Sequence, residues 1–383
     1  MRAWGSFLSP LCSAASLLAA VHAQQYQGTP SANTLPPVDG ATVEFFRIND
    51  TLGRNSTLIN YFSLDSDHDR SKVTRALLIN TAFDGRPDIH FRAARDARNL
   101  ATLNNSAVQR ETAAILVPLW FDPGDNVQGD ALVWTEGANY STGDDNLHPA
   151  DRAVSSFDVM DQILQWFDSE YPNLAEIVVA GHSLGGQATH RHAAVGAVLP
   201  LRPQVKVVHY IADPSSYVWL SRSRPGPLPR SHCPGFDDWR DGLSNYPLDY
   251  SAELVAAGAG AVLARFQIRN VVFAHGLNDT GENAATCGPF TTGATRKDRM
   301  LNFIKEFPPD PEDNVDFLPG VSHNTHEVFT SEAGVQRLFL DNFDGSGWRA
   351  PDMGPRQTSF DSPDPGPRDH KHRYEILPHE LCS

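Results

Sequence analysis

One ten-residue segment in the middle of the chain, residues 177–186, restricts the fold more than any other. It reads Ile-Val-Val-Ala-Gly-His-Ser-Leu-Gly-Gly. An apolar, β-branched run leads into a turn centred on Ser183, and a stretch rich in small residues, 187–198, continues with helical character. This is the Gly-x-Ser-x-Gly pattern between a strand and a helix, where the turn presents the serine hydroxyl at the carboxyl end of the strand. Such turns hold the serine in a strained backbone conformation. The segment therefore predicts a nucleophile at Ser183.

The residues around Ser183 fit the same interpretation. Gly181 and Gly185 occupy positions where a Cβ would collide with a neighbouring strand or helix. The backbone N–H of Leu184, at the start of the predicted helix, is placed to stabilise a developing oxyanion. The alternative is an ordinary turn, but the second glycine, Gly186, and the helix of small residues favour a nucleophile.

A serine nucleophile needs a base, which we predict to be His323. A serine hydroxyl reacts only when a base takes its proton, and an acid must orient that base. In a strand–helix architecture of this kind the chain order is serine, acid, histidine. His323 follows 315–318, the last segment with strand character, in Pro-Gly-Val-Ser-His. His326, three residues further on, is the alternative base.

Two carboxylates are candidates for the acid. Asp279 follows the strand-like segment 267–273, and Asp213 follows 205–211, one strand earlier. We predict Asp279, because a late strand is the expected place. Asp213 is the alternative acid, and its simpler interpretation is a turn residue. Asn278, beside Asp279, begins a glycosylation sequon. A glycan there would crowd the active site, so we expect Asn278 to be unmodified.

The remaining histidines suggest no further site. We expect His182, next to the nucleophile, to pack against the turn or line the pocket. His190 and His192 fall on the following helix and are interpreted as structural or surface residues. His370 and His372 lie in a polar terminal segment without spacing that requires a metal. We therefore predict no metal site.

Segments with strand and helix character alternate along most of the chain. The strand-like segments are 41–48, 57–62, 73–79, 113–119, 177–179, 205–211, 267–273 and 315–318. The helical segments are 90–103, 151–167, 187–198, 298–307 and 330–341. This alternation predicts an α/β fold, with a mostly parallel central sheet that helices cover on both faces.

Two regions depart from this rhythm. Residues 215–262 combine proline, tryptophan and tyrosine with an alanine-rich stretch, and we interpret them as a cap-like insertion over the carboxyl edge of the sheet. Residues 347–383 have little apolar content and are predicted to be a disordered tail. The predicted folded domain is therefore 24–346.

Residues 1–23 have the pattern of a secretory signal peptide. Arg2 is the only early charge, an apolar stretch occupies 11–21, and Val-His-Ala at 21–23 fits a cleavage site. The apolar stretch is far shorter than the roughly 20 residues of a membrane span. We therefore predict a secreted, extracellular protein without a stable membrane anchor. The net charge of −15 argues against nucleic acids and anionic membrane surfaces as partners.

Secretion gives the cysteines and asparagines a specific meaning. Loss of Cys12 with the leader leaves three cysteines, an odd number in an oxidising compartment. We predict a disulfide between Cys233 and Cys287 with Cys382 free, and pairing of Cys382 with either of them is the alternative. Four sequons are predicted glycosylation sites: Asn49, Asn55, Asn104 and Asn139.

Taken together, these motifs resemble the α/β-hydrolase superfamily, including its secreted fungal members. The resemblance rests on Gly-His-Ser-Leu-Gly-Gly at 181–186, His-Gly-x-x-Asp at 275–279 and Gly-x-Ser-His at 320–323, and it covers about residues 70–345. It implies the α/β-hydrolase fold, hydrolysis of an ester-like bond and no cofactor.

The resemblance also implies an oxyanion hole of two backbone N–H groups. Leu184 would supply one. The His-Gly-Gly loop typical of many esterases is missing, and Asn-Thr-Ala-Phe stands in its place at 80–83. The second donor is then Ala82 or Phe83, because a backbone donor needs no particular side chain.

The resulting hypothesis is a secreted serine hydrolase, a carboxylic-ester hydrolase acting on a small-molecule or acyl-ester substrate. A peptidase or lactonase would use the same three residues. A catalytically inactive binding protein on the same scaffold is the alternative from a different functional class.

Overall fold

Eight strands form a single sheet in the computed structural model, which describes residues 35–125, 129–135, 139–282, 284, 286–310 and 314–341. The strands are β1 (Thr42–Asn49), β2 (Asn55–Phe62), β3 (Arg75–Asn80), β4 (Ala113–Pro118), β5 (Glu176–His182), β6 (Lys206–Ala212), β7 (Asn270–Gly276) and β8 (Val315–Leu318). Their order is β1-β2-β4-β3-β5-β6-β7-β8. Strand β2 is antiparallel to both of its neighbours, β1 and β4, and the strands from β3 to β8 are parallel to one another. The predicted mostly parallel sheet is confirmed.

Helices cover both faces of the sheet. They are α1 (Pro87–Asn104), α2 (Ser156–Glu170), α3 (Leu184–Val195), α4 (Ala252–Ala256), α5 (Ala259–Gln267), α6 (Arg296–Glu306), α7 (Thr325–Thr330) and α8 (Glu332–Val335). One core joins the sheet to α2, α3, α5 and α6, and a second joins its other face to α1, α7 and α8. This two-faced burial explains why the central strands are continuously apolar.

Strand β5 carries the nucleophile turn between these two cores. Ile177 and Val179 point into the core shared with α2 and α3, whereas Val178 and Ala180 point into the core shared with α1. All four side chains are fully buried. The end of β5 is thus fixed from both sides, which positions the turn that follows.

Among the element boundaries that differ from the sequence-based expectation, three have a clear local reason. The helix expected at 298–307 begins at Arg296, because Thr295 and Asp298 form a capping box. Strand β7 begins only at Asn270, since the helix α5 occupies the chain up to Gln267. The closing helix expected at 330–341 is divided at Ser331, whose hydroxyl oxygen accepts the Gly334 N–H and starts α8.

The predicted insertion is tied to the sheet domain at several points. Cys233 and Cys287 form a disulfide with 5.7 Å between their Cα atoms. Arg191 on α3, which is fully buried, donates hydrogen bonds to the Arg240 carbonyl and to the Ser216 hydroxyl. The insertion ends within α5, the helix that leads into β7. The insertion therefore packs as part of the same core.

Removing the disulfide is expected to lower the free energy of unfolding by about 3–4 kcal/mol in the chain-entropy model, because the bond closes a long loop. The bridged residues are 54 positions apart. The variant pair Cys233→Ser and Cys287→Ser, compared with the native chain in a denaturant titration, measures this. Hydrogen exchange should rise first in residues 215–262. A uniform rise across β3 to β8 would instead mean that the bond supports the whole core.

Several predictions concern the ends and the surface of the chain. Among the described residues, no helix is both long and apolar enough to cross a membrane. The leader at 1–23, the tail at 347–383 and Cys382 lie outside the described residues. Asn49, Asn55 and Asn104 are exposed. The side chain of the fourth sequon asparagine, Asn139, is outside the description, so glycosylation stays a prediction.

Candidate active site

Ser183 lies in the tight turn between β5 and α3, at the carboxyl edge of the sheet. Its backbone has φ 58° and ψ −118°, a conformation that costs a non-glycine residue about 1–3 kcal/mol. Two backbone hydrogen bonds hold it there. The Ser183 N–H donates to the Ala212 carbonyl at 2.9 Å, and the Ser183 carbonyl accepts from the Gln187 N–H at 3.0 Å. The strained turn expected from the sequence is therefore present.

The glycines of the turn lie where backbone segments touch. A Cβ on Gly181 would lie 2.2 Å from the carbonyl oxygen of Gly185, and one on Gly185 would lie 2.2 Å from the carbonyl oxygen of Asn80. A Cβ on Gly186 would lie 2.6 Å from the Ala212 carbonyl oxygen. Real Cβ atoms do not approach so closely, so the expected steric role of Gly181 and Gly185 is confirmed.

His323 contacts the serine from the loop after β8. Its Nε2 lies 2.9 Å from Ser183 Oγ. The loop is fixed by Ser322, whose N–H and hydroxyl donate to one carboxylate oxygen of Glu327 at 2.8 and 2.6 Å. The alternative base, His326, faces another direction, with its Nε2 3.3 Å from a carboxylate oxygen of Asp96. The geometry therefore selects His323.

Asp279 contacts the other ring nitrogen of His323. Its Oδ2 lies 2.8 Å from His323 Nδ1, while its Oδ1 accepts hydrogen bonds from the Gly281 N–H at 3.0 Å and from Arg296 Nη1 at 2.7 Å. Burial by itself would raise the pKa of the Asp279 carboxyl. The hydrogen bonds from His323 and Gly281, with the positive charges of His323 and Arg296, outweigh it and hold this pKa well below its usual range. Asp279 is therefore an ionised acceptor that fixes the His323 ring.

Asp213, the alternative acid, has a different set of partners. It is 1% exposed. One carboxylate oxygen lies 2.6 Å from His275 Nδ1 and accepts the Gly276 N–H at 3.1 Å. Both partners are at the end of β7, directly before the loop that carries Asp279. Asp213 is thus a turn residue after β6, as its simpler interpretation has it, and its buried carboxylate also supports the end of β7.

His182 forms one wall around the His323 ring. The two ring centroids are 4.4 Å apart, and His182 Nδ1 lies 2.9 Å from Thr325 Oγ1. Burial, and secondarily the charge of His323, lower the pKa of His182 well below its usual value. His182 is therefore a neutral packing residue, as expected. His190 and His192 are also buried, which removes the surface interpretation for both.

Among the residues that the structure describes, two groups of side chains have ligand atoms within 4.8 Å of one another, close enough to hold a metal ion. One group is His182, Asp213 and His323, and the other is Asp213, His275 and Asp279. Hydrogen bonds of 2.6 Å (Asp213 to His275) and 2.8 Å (Asp279 to His323) account for much of this proximity.

The structure separates the two candidates for the second oxyanion donor. The Ala82 N–H donates to His90 Nε2 at 2.9 Å and is therefore occupied. Among the described residues, the Phe83 N–H has no hydrogen-bond partner. Leu184, the first residue of α3, has an N–H without an acceptor inside the helix. The candidate donor pair is thus Leu184 and Phe83, and Ala82 is excluded in this conformation.

Arg296 is the site residue that sequence analysis did not single out. The capping box of Thr295 and Asp298 is visible in the sequence and would have placed the start of α6. The pattern does not show that the first residue of this helix reaches Asp279, 17 positions earlier.

Strand order and site positions together decide the architecture. Ser183 follows β5, and Asp279 and His323 follow β7 and β8 at the same edge of the sheet. The chain has the α/β-hydrolase fold. Within that fold, serine, acid and histidine occur in the expected order.

Comparisons with known proteins give distant similarities to solved hydrolase structures. Poly(aspartic acid) hydrolase-1 from Sphingomonas sp. KT-1 is 17% identical with a TM-score of 0.49, covering 76% of this chain and 96% of its own. A siderophore hydrolase from Aspergillus nidulans is 12% identical with a TM-score of 0.40, covering 80% and 97%. An S-formylglutathione hydrolase from Agrobacterium tumefaciens is 12% identical with a TM-score of 0.39, covering 79% and 98%. No protein-family model matches the chain, and no curated protein sequence does.

Proposed function

We propose that this protein is a serine hydrolase that cleaves a carboxylic ester or related acyl bond. One observation carries the proposal: the continuous array from Ser183 Oγ to His323 Nε2 at 2.9 Å and from His323 Nδ1 to Asp279 Oδ2 at 2.8 Å. Nucleophile, base and acid are each within hydrogen-bond reach, which is the geometric requirement for an activated serine.

The proposed reaction has two halves. Ser183 Oγ attacks the acyl carbon while His323 Nε2 takes the hydroxyl proton, and the carbonyl oxygen becomes an oxyanion. Collapse of this intermediate breaks the acyl–oxygen bond, and the leaving alcohol takes the proton from His323. A water molecule then loses a proton to His323 and attacks the acyl carbon. As this second intermediate collapses, the bond from the acyl carbon to Ser183 Oγ breaks, Oγ takes the proton from His323, and the carboxylic acid is released. Asp279 keeps the His323 ring oriented throughout.

Removing the Phe83 N–H should weaken oxyanion stabilisation. The Phe83→Pro substitution deletes this donor, and we expect kcat to fall by about 10²–10³-fold, the usual cost of losing one donor. Phe83→Ala is the matched control because it removes the ring but keeps the N–H. Steady-state kinetics with an activated ester compares the two. Equal losses in both variants would place the effect in the side chain and exclude the N–H as a donor.

Covalent labelling tests the function directly. A fluorophosphonate probe reacts with an activated serine, and we expect it to modify Ser183 in the native chain but not in Ser183→Ala. A panel of acyl esters that differ in chain length and leaving group then identifies the bond class. A folded native chain that neither reacts with the probe nor hydrolyses any ester would overturn the proposal in favour of a binding protein on this scaffold.

We also propose that the protein acts outside the cell, on a small-molecule or acyl-ester substrate. The leader pattern at 1–23 supports secretion. The disulfide between Cys233 and Cys287 fits an oxidising compartment. Expression in a secreting host, followed by mass spectrometry of the released chain, checks both leader removal and glycans. Retention of the uncleaved leader in the cell would contradict the proposal.

A further inference from the structure

We infer that Arg296 is a positioning residue for the catalytic acid, holding the Asp279 carboxylate in the one orientation that serves His323. The inference rests on the proposed serine hydrolase function. It concerns a contact that a triad of three residues does not require, and it assigns the first residue of α6 to the active site.

The contacts of Asp279 carry the first step. A carboxylate has two equivalent oxygens and rotates easily about its terminal torsion. Here the two oxygens have separate partners: Oδ1 faces Arg296 Nη1 at 2.7 Å and the Gly281 N–H at 3.0 Å, and Oδ2 faces His323 Nδ1 at 2.8 Å. A charge-assisted bond to Oδ1 is roughly twice as strong as a neutral one. Arg296 therefore opposes the rotation that would remove Oδ2 from His323.

The backbone places Arg296 for this role. Its N–H donates to the Gly281 carbonyl at 3.1 Å, so the residue binds the acid loop through its main chain and the acid through its side chain. The capping box of Thr295 and Asp298 fixes the start of α6. Arg296 is 7% exposed, and Asp279 is the one carboxylate it pairs with among the described residues.

Gly281 shows that space is kept for the guanidinium. A Cβ at this position would lie 1.9 Å from Arg296 Nη1 and 3.2 Å from Asp279 Oδ1. The atom it would displace is the far end of a flexible side chain. Gly281→Ala is therefore expected to move the guanidinium away from Asp279 at little cost to the fold, which provides a test that leaves Arg296 in place.

The other charged groups near the array do not replace this contact. Asp213 is bound to His275 and to the Gly276 N–H. His182 is hydrogen-bonded to Thr325. Arg299, one turn further along α6, donates to backbone carbonyls, including that of Gly293. Within the described residues, Arg296 is the one arginine or lysine in an ion pair with Asp279.

The experiment compares two buried arginines. Arg75 is 8% exposed and pairs with Glu176 at 2.6 Å, at the amino ends of β3 and β5, the edge of the sheet opposite to Ser183. Arg296→Gln and Arg75→Gln should both lower the thermal midpoint. Only Arg296→Gln should reduce kcat, by about 10- to 100-fold with KM nearly unchanged, as expected for a misplaced catalytic group. Arg296→Lys should keep a larger part of kcat than Arg296→Gln, because lysine keeps the charge but not the planar geometry.

A second measurement does not depend on substrate. The proton between His323 Nδ1 and Asp279 Oδ2, which are 2.8 Å apart, should give a far-downfield NMR resonance, which His323→Gln should remove and thereby assign. Arg296→Gln and Gly281→Ala should both shift or broaden this resonance, whereas Arg75→Gln should not. An unchanged resonance together with unchanged kcat in folded Gly281→Ala would overturn the inference. If the native chain fails the probe reaction, the proposed function fails, and the resonance still decides whether Arg296 positions Asp279.

Discussion

Replacing Ser183 by alanine is expected to reduce kcat by about 10⁴-fold or more while the fold is retained, because the loss of one triad member disables the whole unit. The side chain is small and half-buried in the turn, and alanine is smaller still, so it fits without new contacts. Ester hydrolysis at saturating substrate, with circular dichroism and thermal unfolding of the same samples, measures both parts. Near-native turnover on every tested ester would exclude Ser183 as the nucleophile.

A glycine at position 183 tests the backbone strain of this turn through the free energy of unfolding. At φ 58° an alanine keeps the strain of the serine, whereas a glycine adopts positive φ without penalty. Ser183→Gly should therefore be more stable than Ser183→Ala by about 1 kcal/mol, although both are inactive. Equal stability of the two variants would mean that the turn relaxes when the hydroxyl is removed.

Asp279→Asn should reduce kcat by about 10⁴-fold, the scale expected when the base is held in the wrong tautomer. An asparagine in this place presents either an N–H or a neutral oxygen to His323 Nδ1, and it weakens the bond from Arg296. Because the pKa of Asp279 is held well below its usual range, the native residue stays ionised at every pH at which esterases are assayed. Kinetic measurements from pH 5 to pH 9 should show the loss throughout.

Asp213→Asn is the matched control for this acid. The asparagine oxygen still accepts the Gly276 N–H, but the charged contact to His275 is lost. We expect a lower thermal midpoint and a much smaller effect on kcat than in Asp279→Asn. A folded Asp213→Asn variant with the larger catalytic loss would reverse the assignment of the acid.

The nucleophile, base and acid are readable from the sequence because each depends on a local pattern and on chain order. Ser183 stands in a turn whose three glycines all lie within three residues of it, so the pattern is visible locally even though Gly185 and Gly186 contact the distant residues Asn80 and Ala212. Asp279 and His323 each follow a short apolar strand, and parallel strands bring their carboxyl ends to one edge. The alternation of buried residues along β5 likewise follows from the strand period alone.

The features that sequence analysis missed depend on contacts between distant segments. The sequence does not distinguish Ala82 from Phe83 as the second oxyanion donor. The fold distinguishes them, because His90, in the first turns of α1, accepts the Ala82 N–H. Arg296 differs from the other arginines of the chain only through the position of Asp279. No periodicity encodes which hydrogen-bond partner a folded loop will meet.

The close backbone contacts at Gly181, Gly185 and Gly186 carry a consequence for recognising related enzymes. These glycines are demanded by the distance between chain segments, and they take no part in moving a proton. A homologue that had lost its histidine or its acid would still need all three to close the turn. The three glycines therefore indicate that the turn is present, whereas the ability to hydrolyse a substrate depends on the residues in the loops after β7 and β8. Surveys that aim to separate active from silent homologues should score those two loops first.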